Sequence, residues 1–159
     1  MPFQPRFTPL EHVTAVGTTG VKKHKVLLVE DDALIGMLLS DLLGEMGYGV
    51  CAVEATQADA VLAAARHKPD LMIVDIDLGQ SSGALAVEEI LHSGFIPHVL
   101  MSGNPSWFLD LMPGTVTLLK PFGEAELQDA IEHALAAGVP MGQTGRAVPR
   151  KRNSLKVKS

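Results

Sequence analysis

Acidic residues follow two uninterrupted apolar runs in this sequence. Asp75 ends the run Leu71–Val74, and the acidic triplet Glu30–Asp32 ends the run Val26–Val29. Runs of this kind are typical of strands that are buried on both faces of a parallel sheet. The carboxyl ends of such strands open on one edge, which is where open α/β sheets bind their ligands. We therefore expect these carboxylates to converge on one site.

Two further strand ends add a hydroxyl group and an amine to the same edge. Ser102 follows the predicted strand 96–101, and Lys120 follows the predicted strand 115–119. Converging carboxylates repel one another, which raises their pKa values unless a cation intervenes. Mg²⁺ takes oxygen ligands and keeps several waters, so it would leave positions open for phosphate oxygens. An aspartate nucleophile, a metal ion, a lysine and a hydroxyl group are the parts that aspartyl-phosphate chemistry needs.

Strand and helix signals alternate along the chain in five repeated units, which indicates the α/β class with a parallel sheet. The strands are predicted at 25–29, 49–53, 71–74, 96–101 and 115–119. The helices are predicted from 32 to about 46, and at about 56–67, 84–92 and 124–137. Helical spacing is expected to turn seven apolar residues of the first helix inward: Leu34, Ile35, Leu38, Leu39, Leu42, Leu43 and Met46. The stretch Asn104–Gly114 has room for at most two helical turns between its prolines, so the fourth helix is predicted to be short, irregular or absent.

Four motifs occur in order at the strand ends, and each alone is a weak signal. They are Val26–Asp32, Leu71–Leu78, Val99–Gly103 and Leu118–Phe122. Their order and spacing resemble the receiver domain of two-component response regulators, of the single-domain chemotaxis type, across about residues 24–138. The resemblance implies a flavodoxin-like (βα)5 fold, a doubly wound parallel sheet with strand order 2-1-3-4-5.

The resemblance assigns a role to each acidic residue of the edge. Asp75 would be the phosphoacceptor, supplied by the phosphohistidine of a sensor histidine kinase or of a histidine phosphotransfer protein. Asp31 would bind Mg²⁺ directly, and Glu30 would act through a water molecule. The carboxylate of Asp75 and the backbone carbonyl of Asp77 would complete the protein ligands of the metal.

The same resemblance assigns the two remaining strand ends and the output. Ser102 would hydrogen-bond the phosphoryl group, and Lys120 would pair with it, aimed by a cis bond to Pro121. The domain would phosphorylate and dephosphorylate itself rather than turn over a substrate. Its signal would pass to a downstream protein through protein–protein contacts, and the resemblance leaves a homodimer open.

Three features depart from the usual receiver pattern. The family usually has an aromatic residue in strand five that swings inward on phosphorylation, and Thr117 occupies that place. The loop Leu78–Gly83 lacks the common Met-Pro after the acceptor. The short fourth unit, with Pro97 and Gly103 around strand four, resembles an alphaproteobacterial receiver subgroup in which a loop replaces helix four.

Charge divides the chain into an acidic domain and a basic tail. Residues 25–138 contain four Lys and Arg against 17 Asp and Glu, whereas residues 139–159 contain six basic residues and no acid. We expect residues 1–23 and 139–159 to be flexible and residues 24–138 to form the receiver domain. No apolar stretch reaches the roughly 18 residues of a membrane span, and no signal-peptide core precedes the domain, so a cytoplasmic protein is expected.

Other interpretations of the same residues stay open. Asp75 could be a strand-end cap, and Asp32 could be a helix N-cap or a metal ligand. Trp107 and Phe108 are expected to form a hydrophobic plug over the reduced helix. The whole domain could be an interaction module whose site is a relict and whose binding ignores phosphate. Nucleic-acid binding through the basic tail is a further alternative, although the acidic domain argues against it.

Overall fold

Five parallel strands form the central sheet of the computed structural model, which describes residues 22–111 and 114–138. They are β1 Lys25–Val29, β2 Gly49–Glu54, β3 Leu71–Asp75, β4 His98–Ser102 and β5 Val116–Leu119. The strand order is β2-β1-β3-β4-β5, and every neighbouring pair is parallel. Both the predicted fold class and the predicted strand order are therefore confirmed.

Four helices cover the two faces of this sheet: α1 Ala33–Glu45, α2 Gln57–His67, α3 Gly83–Leu91 and α4 Glu124–Ala137. Asp32 is the N-cap of α1, because its carboxylate accepts hydrogen bonds from the backbone N–H groups of Leu34 at 2.9 Å and Ile35 at 3.1 Å. Thr56 caps α2 in the same way through the N–H of Asp59. Of the two uses predicted for Asp32, the structure shows the helix cap.

The sheet separates two hydrophobic cores. Residues of α1 and α4 pack on one face, against alternate side chains of β1, β3 and β4, and residues of α2 and α3 pack on the other. Every residue of β3 is buried, and so is every residue of β1 after Lys25. The uninterrupted apolar runs of these two strands are explained by burial on both faces.

The predicted inward face of α1 is wrong in part. Leu34 and Leu38 are 61% and 57% exposed, and the buried stripe of the helix is Gly36, Leu39 and Leu43. A helix buries a single stripe at spacings of three and four residues, so seven apolar residues in thirteen positions cannot all face the sheet.

The segment between β4 and β5 contains a single 3₁₀ turn, Pro105–Phe108, so the prediction of a reduced fourth helix is confirmed within the described residues. The side chain of Asn104 caps this turn through the N–H of Ser106 at 3.1 Å. Phe108 packs against the core under α2 and α3, as predicted for a plug. Trp107 is 44% exposed and does not take part in it, because a four-residue turn presents only one of two adjacent aromatic rings to the core.

The predicted flexible ends lie outside the described residues, apart from Lys22 and Lys23. Within residues 22–111 and 114–138, no helix is long and apolar enough to cross a membrane.

Candidate functional site

The carboxyl ends of the strands bring acidic side chains of β1 and β3 together. Glu30, Asp31 and Asp75 each offer a carboxylate oxygen that lies within 4.8 Å of the others. Glu30 and Asp75 are buried, whereas Asp31 is exposed. The convergence that the sequence predicts is therefore present, and one member of the cluster faces solvent.

Lys120 supplies the positive charge of this edge. Its Nζ donates a hydrogen bond of 2.6 Å to Asp75 Oδ2 and one of 3.3 Å to Glu30 Oε2. The predicted cis peptide bond between Lys120 and Pro121 is present. Partial burial acts to lower the pKa of Lys120, but the hydrogen bond and charge of Asp75, with those of Glu30, outweigh it and raise the pKa above 10.5. The ammonium group stays charged across the neutral range.

Burial raises the pKa of Glu30 above its ordinary value of 4.5, and the negative charge of Asp75 raises it further. The backbone N–H of Asp32, which donates to Glu30 Oε1 at 3.2 Å, and the charge of Lys120 act in the opposite direction. The ionised form of Glu30 is thus held at an energetic cost. A second cation at this edge would reduce that cost.

The donor set of this edge fits Mg²⁺. Three carboxylates offer oxygen ligands close together, which suits a hard cation, and Asp31 is exposed, so water has access to the remaining coordination positions. The N–H of Asp77 donates to Asp75 Oδ1 at 3.0 Å, which holds the chain after Asp75 against the site. The metal-ligand role of the Asp77 backbone carbonyl remains a prediction.

Ser102 is buried at the end of β4, and its hydroxyl is engaged with the following loop. The Oγ donates to the backbone oxygen of Asn104 at 3.2 Å and accepts from the N–H of Asn104 at 3.0 Å. Ser102 therefore fixes the start of the 3₁₀ segment. Its predicted contact with a phosphoryl group remains a prediction.

The chain after Asp75 forms a short hairpin that the sequence did not predict. Asp77–Leu78 pairs antiparallel with Ser81–Ser82, and we call residues 77–82 the acceptor hairpin. Turn-forming residues predicted a loop here, and Ser82 three residues before Leu85 has the spacing of a helix cap. Ser81 also accepts a hydrogen bond from the N–H of Gln57, the first residue of α2. This contact joins residues that are distant in the sequence, so the sequence could not predict it.

Gly83, immediately after the acceptor hairpin, has the closest backbone approach of the site. An ideal Cβ at Gly83 would stand 1.9 Å from the backbone oxygen of Asp75 and 2.7 Å from a methyl group of Val74. Only glycine allows α3 to begin this close to the end of β3.

Thr117, which takes the place of the expected aromatic residue, lies in β5 opposite Leu100 and is exposed. It is not among the residues that form the acidic edge, so the departure lies outside the acidic cluster and its lysine.

Comparison with known proteins agrees with this fold. The profile of the response regulator receiver domain matches residues 26–132. The chain therefore belongs to the response regulator receiver family.

Individual relatives support the same assignment. The transcriptional regulatory protein PdtaR of Mycobacterium tuberculosis is 34% identical over 118 residues, which is 70% of this chain and 57% of PdtaR. The chemotaxis protein CheY of Bacillus subtilis is 29% identical over 117 residues, which is 70% of this chain and 98% of CheY. The receiver domain of Erythrobacter litoralis PhyR, solved by NMR, superposes with a TM-score of 0.68 at 34% identity, over 83% of this chain and all of that one.

Proposed function

We propose that this domain is a Mg²⁺-dependent phospho-receiver that accepts a phosphoryl group on Asp75 from the phosphohistidine of a sensor histidine kinase or a histidine phosphotransfer protein. The observation that supports this most directly is the 2.6 Å contact between Lys120 Nζ and Asp75 Oδ2 inside a cluster of three carboxylates. A buried strand-end carboxylate that serves only as a cap does not need a dedicated lysine and two further acids around it.

The proposed step is a transfer between two nucleophiles. A carboxylate oxygen of Asp75 forms a bond to phosphorus, and the bond between phosphorus and the donor imidazole nitrogen breaks. The imidazole nitrogen keeps that electron pair and takes up a proton. A bound Mg²⁺, held by Glu30, Asp31 and Asp75 with the Asp77 carbonyl, would neutralise the charge of the phosphoryl oxygens.

The side chains of the protein hold the charges in this proposal. Lys120 already lies on Asp75 Oδ2, so it is placed to remain close to an oxygen of the transferred group. Ser102, at the end of the neighbouring strand, would turn its hydroxyl from Asn104 to the phosphoryl group. The signal would then reach a downstream protein target by protein–protein contacts, with a homodimer as one form of that contact.

The test is incubation of the full chain with phosphoramidate and Mg²⁺, followed by phosphate-affinity electrophoresis. Wild type should show one retarded band that needs Mg²⁺, and Asp75→Asn should show none. Asp110→Asn, which removes an exposed acid of the segment after β4, should be modified like wild type. An unmodified wild type, or equal modification of Asp75→Asn, would contradict the proposal.

A phosphorylation-independent interaction module is the second candidate, and the exposed Thr117 is the observation that favours it. It predicts that a binding partner recovered with this domain binds wild type and Asp75→Asn equally, with and without Mg²⁺ and beryllofluoride. A difference in affinity between the two states would exclude it.

A further inference from the structure

The acceptor hairpin, residues 77–82, is hydrogen-bonded to one carboxylate of the candidate site and passes close to a second. The N–H of Asp77 donates to Asp75 Oδ1 at 3.0 Å. Gly79 has φ +71° and donates its N–H to the Asp77 carboxylate at 3.1 Å. An ideal Cβ on Gly79 would stand 3.6 Å from Asp31 Oδ2. The start of the hairpin is therefore bonded to the same Asp75 carboxylate that a metal or phosphoryl group would engage.

The far strand of the hairpin is bonded to α2. Ser81 Oγ accepts a hydrogen bond of 3.2 Å from the N–H of Gln57, the first residue of that helix. The first N–H groups of a helix have no partner within it. The cap residue Thr56 bonds the N–H of Asp59, so the N–H of Gln57 takes its partner from the hairpin.

The hairpin is also held by contacts at its other positions. Leu78 is buried in the core that α2 and α3 share. Ser82 caps α3 through the N–H of Leu85 at 3.3 Å, and the N–H of Gly83 donates to Ile76 at 2.9 Å. The two strands of the hairpin are paired, Asp77 with Ser82 and Leu78 with Ser81, so the residues at its two ends are bonded together.

We propose that Ser81 is a positioning residue that couples the acidic site to the first turn of α2 through the acceptor hairpin. The proposal rests on the proposed function, since it concerns how occupancy of that same site is sensed. A ligand on Asp75 Oδ1 competes with the N–H of Asp77 and moves the hairpin, which alters the bond from Gln57 to Ser81. Coupling between two sites is reciprocal, so the bond from Gln57, which holds the hairpin where the N–H of Asp77 occupies Asp75 Oδ1, opposes the ligand.

The experiment compares wild type with Ser81→Ala, Ser81→Thr and Ser82→Ala, each as the full chain. Mg²⁺ alone and Mg²⁺ with beryllofluoride are the probes. Two quantities are measured. One is the Mg²⁺ dissociation constant, and the other is the rate of hydrogen exchange of the amides in the first turn of α2, monitored by NMR. Ser82→Ala removes a helix cap of the same hairpin without touching α2, so it is the matched control.

Beryllofluoride should change the exchange of the first-turn amides of α2 in wild type, and Ser81→Ala should abolish that change. Ser81→Ala should also tighten Mg²⁺ binding by about fivefold, which is the equilibrium effect of one ordinary hydrogen bond that the ligand no longer has to disturb. Ser81→Thr keeps a hydroxyl group and should restore both, and Ser82→Ala should retain both despite a lower stability.

Two results would overturn this inference in different ways. If α2 responds equally in wild type and Ser81→Ala, or does not respond while other parts of the domain do, the coupling through Ser81 is wrong and the proposed function stands. If beryllofluoride and Mg²⁺ leave every amide of wild type unchanged, the proposed function is wrong and the inference falls with it.

Discussion

The acidic edge and the segment between β4 and β5 differ in how their side chains are held. At the edge, Lys120 reaches Asp75 and Glu30 with bonds of 2.6 and 3.3 Å, and both acids are buried. In the segment, a single 3₁₀ turn leaves Trp107 and Leu109 exposed, with 81% of Leu109 accessible. The ionic side chains of the first region are bonded to one another, whereas the second region leaves two large apolar side chains in solvent.

The cause of the difference is the sheet. Asp75 ends a strand that is paired on both sides, by β1 and by β4, so its position is fixed by two hydrogen-bond ladders. The segment after Ser102 runs over the surface, where chains are free to change. A receiver of this kind can keep its chemistry at strand ends while the connecting segment differs, because the two depend on different contacts.

The largest contrast between the two regions is expected from one added methyl group. Gly83→Ala places a Cβ against the Asp75 backbone oxygen and should lower the free energy of unfolding by about 3 kcal/mol. Gly103→Ala, in the second region, has nothing within 4 Å of its added Cβ and should change it by less than about 0.5 kcal/mol. Urea unfolding of both variants measures the difference. Equal free energies of unfolding for the two variants would show that the acidic edge is not packed more tightly than the segment between β4 and β5.

Removal of the lysine tests whether the edge depends on its internal charge balance. Lys120→Met leaves two buried carboxylates without their cationic partner, with one backbone N–H donor each, and should lower the free energy of unfolding by about 2 kcal/mol at neutral pH without divalent cations. Because the pKa of Lys120 is raised above 10.5, its contribution is present below that pH and is lost only as the pH rises through the raised value. The exposed substitution Arg66→Met is the control, and Mg²⁺ should recover part of the loss in Lys120→Met alone. If Lys120→Met is as stable as wild type in urea unfolding without metal, the ion pairs of Lys120 do not stabilise the acidic edge.

The pKa of Glu30 predicts how metal binding at the edge varies with pH. A protonated Glu30 no longer attracts a cation, and its pKa lies above 4.5, so Mg²⁺ affinity should begin to fall at a higher pH than for an ordinary glutamate. Below the raised pKa of Glu30, protonation of this one carboxylate should reduce the Mg²⁺ affinity by about tenfold for each pH unit. Titrations at several pH values check this, and Glu30→Gln should remove that part of the pH dependence while Glu132→Gln keeps it. If the pH dependence of Mg²⁺ affinity is the same in Glu30→Gln as in wild type, the charge of Glu30 does not contribute to Mg²⁺ binding.

The smallest effect is expected in β5, the strand that follows the second region. Thr117→Tyr introduces the aromatic residue typical of the family at an exposed position of β5 and should alter the free energy of unfolding by less than about 0.5 kcal/mol. Phosphorylation of Asp75 by phosphoramidate should be unchanged, because Thr117 is not among the residues of the acidic edge. A large change in either measurement would show that the two regions are coupled through β5 after all.

Features that depend on neighbouring residues in sequence were predictable. The apolar runs before Glu30 and Asp75 predicted both strands and the edge where they end, and Asn104–Gly114 predicted the reduced helix. Features that depend on contact between distant residues were not. The bond between Ser81 and Gln57 joins positions 24 residues apart, and the exposure of Leu34 depends on which stripe of α1 meets the sheet.

The ion pairs of Lys120 also bear on how the domain assembles. Because the ammonium group of Lys120 lies between Glu30 and Asp75, the domain can fold without a divalent ion. A metal ion that binds at this edge would then bind to a domain that is already folded. Mg²⁺ would then add stability only by mass action, in proportion to the logarithm of its concentration over its dissociation constant. Newly synthesised chains would mature at any magnesium level, and the ion would govern reactivity rather than survival of the protein.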